Sequence, residues 1–173
     1  MKTRFKQLTA VVCLLTASNA IAGVAIQDTI PYENPDRIDS RITAECKSLG
    51  ENFSTSIDKY GKEFGVEVTR SAGDISKNEI YANIRIVSAL SIGNAFTGHR
   101  KSVTVETILY KNGAVLGKKM MTRDSGGGAF AGFKSSCDVL DRTVNTLGSD
   151  VVKWLKSINL VSGATTPKET PEQ

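Results

Sequence analysis

The run from Thr122 to Cys137, TRDSGGGAFAGFKSSC, has the most chemistry-like spacing in the chain. From Gly127 it reads G-G-A-F-A-G-F-K-S, which would be the phosphate-cradling pattern G-x-x-x-x-G-K-S if Phe133 did not stand between Gly132 and Lys134. In a phosphate loop the lysine directly follows the last glycine, so that its ammonium reaches the β and γ phosphates. Phe133 displaces Lys134 from that place. A weaker chemistry survives the mismatch: the backbone N–H groups of Gly126, Gly127 and Gly128 could form an anion nest, flanked by Arg123 and Lys134, ahead of a helix start at Ser135-Ser136. The competing reading is a plain connection that lets Phe130 and Phe133 dock on a sheet, and glycine-rich turns of that kind are common.

Other catalytic sets fail on residue supply. His99 is the single histidine and no G-x-S-x-G elbow is present, so a Ser-His-Asp hydrolase would rest on His99 alone. Asp138 and Asp141 stand three apart at a helix start, where carboxylates favourably meet the helix dipole rather than each other's chemistry. Two cysteines with one distant histidine do not supply the four ligands of a structural zinc. The expectation is therefore a protein with no catalytic residues, no metal site and no cofactor.

The ends carry an address and a tail. Residues 1–22 place Lys2, Arg4 and Lys6 ahead of an apolar run from Leu8 to Ala17 and the small-residue triplet Ala20-Ile21-Ala22, the pattern of a secretory signal peptide cut after Ala22. The apolar run is too short to span a bilayer, and no later segment is long and apolar enough to do so. Ala10-Val11-Val12 before Cys13 lack the leucine and the adjacent small residue of a lipidation signal, so no lipid anchor is expected. Without residues 1–22 the chain carries 19 basic against 18 acidic residues, a net of +1 instead of +4. A surface so close to neutral gives no basis for nucleic-acid binding, which needs a sustained basic patch. His99-Arg100-Lys101 reads as a turn. Export into an oxidising compartment pairs the two remaining cysteines, and a Cys46–Cys137 disulfide is expected.

The elements that must position these residues form one domain over residues 23–160, followed by a polar, proline-containing and disordered tail over 161–173. Val24 to Tyr32 reads as a strand, and Asn34-Pro35-Asp36 as a turn. Asp39 or Ser40 caps a helix with Ile42, Cys46, Leu49, Phe53, Ile57, Tyr60 and Phe64 on one stripe, stopped by Gly61 and Gly65. Phe64 to Thr69, Ile80 to Ile86, Val103 to Tyr110 and Val115 to Arg123 alternate as strands, the last two joined by an Asn112-Gly113 hairpin turn. A final helix from about Ser135 to Ile158 lines up Cys137, Leu140, Val144, Leu147, Val151, Leu155 and Ile158. Met120, Met121, Phe53 and Phe64 read as core. These elements make the fold class α+β, a mainly antiparallel sheet with two amphipathic helices packed on one face and a disulfide stapling the helix beginnings.

From Gly93 onward the order is G-N-A-F, a basic turn, the strand SVTVETILY, the hairpin KNGAVLG, then SGGGAF and a helix ending DVVKWL. Over about the last 70 residues this resembles a group of uncharacterised bacterial envelope proteins, many of them lipoproteins, in which a strand pair and a G-G-G-x-F loop lead into the final helix. That group looks like a relative of the small α+β domains of the curli secretion channel protein and the amino-terminal domain of the Tol translocation protein. The resemblance implies an envelope component that binds another protein or self-assembles, with no catalytic residues to carry over. The chain departs from the lipoprotein members in lacking a lipid-ready cysteine and in having the Cys46 and Cys137 pair. The expected function is a non-catalytic periplasmic binding or assembly module. The alternatives are a small-ligand or anion carrier using Arg123, Gly126 to Gly128 and Lys134, and a hydrolase built around His99.

Overall fold

The computed structural model describes residues 23–94, 98–126 and 135–158, so the expected signal segment, the tail and the run holding Gly127, Gly128 and Lys134 lie outside it. Five strands form one sheet in the order β2-β1-β3-β4-β5. They are β1 (Val24–Gln27), β2 (Val68–Ser71), β3 (Ile80–Asn94), β4 (Gly98–Lys111) and β5 (Ala114–Gly126). The long strands β3, β4 and β5 are antiparallel, whereas β1 runs parallel to both of its neighbours, making the sheet mixed. His99-Arg100-Lys101 lies in β4 and is not a turn, since the strand starts several residues before its β-branched stretch. Asn112 and Gly113, both at positive φ, form the turn between β4 and β5.

Among the described residues, three α-helices follow the sequence stripes with one break. The expected single helix divides into α1 (Ser40–Glu45) and α2 (Leu49–Phe64), because Cys46 leaves helical geometry at φ −97°, ψ 51° and closes α1 as its cap. Asp39 caps α1 by accepting from the Arg41 N–H. Gly65 ends α2 in the left-handed conformation, φ +70°; Gly61 lies buried inside the helix and stops nothing. Phe64 accordingly belongs to α2, and the strand expected from it begins at Val68. Helix α3 (Ser136–Ser157) opens on a capping box, Ser135 with Asp138.

Both long helices lie on one face of the sheet. Leu49, Phe53 and Ile57 of α2 and Leu140, Val144, Leu147, Val151 and Leu155 of α3 are buried with Ile80, Ala82, Ile84, Ile86, Val103, Val105 and Leu109 of the sheet. Met121 joins this core, but Met120 points to the other face and is exposed, as the strand period requires of adjacent residues.

An irregularity in β3 changes which of its residues meet the helices. Ile86 pairs with Val105 and Ser88 with Thr104, so Val87 is an extra residue, a β-bulge. Before it the even-numbered residues of β3 face the helices; after it Ala89 pairs with Val103 and Ser91 with Lys101, and the odd-numbered ones do.

Candidate functional site

β5 is an edge strand of 13 residues, and among the described residues no strand pairs with its outer side. Edge strands are usually guarded by charge. Here two of the three basic side chains turn back onto their own domain. Lys118 meets the Glu106 carboxylate at 2.7 Å, and Arg123 forms a two-pronged contact with Asp150 of α3, Nε to Oδ2 at 2.6 Å and Nη2 to Oδ1 at 2.8 Å. The Asp150 carboxylate raises the Arg123 guanidinium above its ordinary value, first by hydrogen bonding and then by charge. Lys119 keeps its charge facing solvent, beside a shallow groove of about 440 Å³ between β5 and α3. Met121, Thr122, Lys153 and Trp154 also line that groove. On the opposite face of β5, Val115 and Met120 are 56% and 57% exposed.

Glu106 organises the sheet face opposite the helices, which no described helix covers. Its buried carboxylate accepts from Lys118 and, at 2.6 Å, from Arg85, which also reaches Glu33 at 3.5 Å. The hydrogen bond from Lys118 leads in holding the carboxyl below its usual value, against the opposing effect of burial, with Arg85 adding to it. Further along the same face, Tyr81 and Tyr110, paired across β3 and β4, stack at 4.7 Å.

A second concavity lies at the other end of the helix-facing side. Lys101 is 6% exposed, and its ammonium donates to Ser91 Oγ, directly opposite on β3, and to Ser136 Oγ in the first turn of α3 at 3.0 Å. The two hydroxyls are 3.3 Å apart. They line a cleft of about 130 Å³ with Asp39, Arg41, Ile42, Glu45 and Cys46. Burial lowers the Lys101 ammonium below the usual lysine value, and the Arg41 charge lowers it further. The Cys46–Cys137 disulfide, with Cα atoms 5.2 Å apart, ties the end of α1 to the start of α3 at the wall of this cleft.

Of the residues expected to bind an anion, the structure places Arg123 in the groove with its charge engaged by Asp150 and Gly126 at the end of β5 opposite Arg100. The Cys46–Cys137 bond is present, but it joins the end of α1 to the start of α3 instead of two helix beginnings, because the expected single helix breaks at Cys46. Sequence reasoning missed Lys101 and Ser91 as site residues, and had Ser136 only as the helix start beside the glycine run. One signal was available: extending the alternation of Val103 and Val105 two residues back puts Lys101 on the apolar face.

The fold so built is an α+β layer, a mixed five-stranded sheet with its helices on one side. No protein-family model matches the sequence, and no curated protein matches it. Among solved structures, protein XCC0632 from Xanthomonas campestris, of family DUF330, aligns with a TM-score of 0.58 at 10% identity, over 79% of this chain and 85% of that one. Lipoprotein GNA1162 from Neisseria meningitidis aligns with a TM-score of 0.46 at 13% identity, over 79% and 99%. PelC, a dodecamer from Paraburkholderia phytofirmans, aligns with a TM-score of 0.45 at 14% identity, over 74% and 85%. The first of these shares the fold. No helix among the described residues is long and apolar enough to cross a membrane.

Proposed function

We propose that this protein is an exported, non-catalytic module of the bacterial cell envelope that works by taking an extended segment of another envelope protein onto the edge of β5. The observation that carries the reading is the open edge itself, flanked by the groove of Lys119, Met121, Lys153 and Trp154 on one face and by Val115 and Met120 on the other. An added strand satisfies the free backbone groups of the edge, and its alternating side chains fall on those two surfaces. The groove surface selects acidic and apolar residues, because Lys119 and Lys153 offer charge and Trp154 offers area. Residues 1–22, read as a secretory signal, and the resemblance to envelope proteins and to the curli-channel and Tol domains support the location and the assembling role.

The test is site-specific photocrosslinking in the native envelope, with the crosslinker at Met120 and, as a control, at exposed Lys59 on α2. A discrete adduct is expected at Met120, mapping by mass spectrometry to an acidic-apolar extended segment and lost when Lys119→Glu is added. Equal adducts at both positions, or turnover of a substrate by the purified protein, would overturn the reading.

A further inference from the structure

The Lys101 cleft has no part in strand addition at β5, and its chemistry is specific enough to name a ligand class. Lys101 has no carboxylate partner among the described residues, although a buried ammonium ordinarily requires one. Its protons go to two serine oxygens, which leaves the serine O–H groups to be donated elsewhere. One can reach the other serine across 3.3 Å, and the remaining O–H, polarised by the ammonium behind it, is available to the cleft. Ser136 also lies at the positive end of the 22-residue helix α3. These features favour an anionic oxygen at the floor.

The rim has the opposite character. Asp39 and Glu45 are on it, and Arg41 is held by Asp39 through Nε at 3.2 Å and Nη2 at 2.8 Å. Among the described residues that line or touch the cleft, Lys101 and Arg41 balance Asp39 and Glu45, with the cation deep and Glu45, which no described residue pairs, outside. A phosphate dianion would satisfy the floor and be repelled by the rim. A molecule carrying a carboxylate at one end and an ammonium at the other satisfies both. The volume, about 130 Å³, equals roughly four waters' share of liquid volume, room for only a few heavy atoms.

We propose that the cleft between α1, the paired Ser91 and Lys101, and the start of α3 binds a small α-amino acid, its carboxylate on the serine hydroxyls backed by Lys101 and its ammonium toward Glu45. This does not rest on the β5 reading, and either can fail alone.

Calorimetric titration of the oxidised mature chain with alanine, acetate, ethylamine and inorganic phosphate tests it. Alanine is expected to bind saturably, with acetate and ethylamine each weaker by about tenfold or more for want of one charge-assisted contact. Lys101→Met removes the ammonium without leaving a hole and should lose alanine binding while remaining folded by circular dichroism. Ser136→Ala, a smaller change, should weaken alanine about tenfold. Glu45→Gln should erase the preference for alanine over acetate. Absence of saturable alanine binding up to about 10 mM, about tenfold above a dissociation constant of about 1 mM, would overturn the proposal. So would a preference for phosphate over alanine, or full alanine affinity in folded Lys101→Met.

Discussion

Helices α2 and α3 cross at Gly148, and replacing it with alanine tests whether that contact limits stability. A Cβ built there would run into the Ser56 hydroxyl and stand 2.9 Å from Ser56 Cβ and 3.1 Å from its carbonyl carbon. The carbonyl carbon is backbone, so the strain is not relieved by one rotamer change. Ser56 Oγ also donates to the Asn145 carbonyl at 3.0 Å, and the intruding methyl would push it off that acceptor. Overpacking of this kind costs about 1–3 kcal/mol, and the displaced hydrogen bond about 1 kcal/mol more. Helix propensity works the other way, favouring alanine over glycine by about 1 kcal/mol. The net expectation for Gly148→Ala is a loss of about 2 kcal/mol, read as a lower urea midpoint with unchanged m-value. Ser56→Gly should cost less when combined with Gly148→Ala than in the parent, since it removes part of the collision. A Gly148→Ala midpoint equal to or above the parent's, or strictly additive effects of the two changes, would refute the close-contact account.

Three further outcomes are expected. Replacing both Cys46 and Cys137 by alanine opens a crosslink spanning 91 residues and should cost about 4–5 kcal/mol in the chain-entropy account, measured against oxidised parent by urea unfolding. Glu106 has a folded value held below its unfolded value, so its stabilisation is present above the unfolded value near 4.5 and lost as pH falls through the folded one. Glu106→Gln should therefore cost about 1–2 kcal/mol at neutral pH and flatten the acid limb of a melting-temperature profile. For Lys101 the folded value lies below the unfolded one, so the unfolded chain binds more protons in the alkaline range and stability should rise with pH between the two. That alkaline rise should be absent from Lys101→Met.

Local patterns carried most of the architecture. The spacing of Leu140, Val144, Leu147, Val151 and Leu155 located α3 to within a residue or so, and Asn112-Gly113 located the β4–β5 turn, because both signals depend on neighbours close in sequence. The break at Cys46 was hidden, since Ile42, Cys46 and Leu49 keep helical spacing straight through it. The parallel placement of β1 was hidden too: Val24 lies beside Val68 and Ala25 beside Tyr81, pairings that no periodicity announces. The Lys101 cleft escaped for a related reason. The bulge at Val87 changes which residues of β3 face the helices, so a regular alternation carried on from Ile86 places Leu90, not Ser91, opposite Lys101. The β5 groove likewise needs α3 brought against the sheet before Arg123 finds Asp150.

The position of β1 between β2 and β3 sets the order in which the chain can fold. β1 comes first in the described chain, yet both of its pairing partners lie well downstream of it. Synthesised from its amino end, the chain must hold this apolar strand unpaired until β2 and β3 have emerged. The core stays incomplete until α3, the last described element, covers it, so the fold is dominated by contacts distant in sequence. Cys46 waits through the same interval for Cys137. The Cα–Cα approach of 5.2 Å between Cys46 and Cys137 needs α3 docked beside α1, so the native pairing fits only the completed arrangement of these two helices.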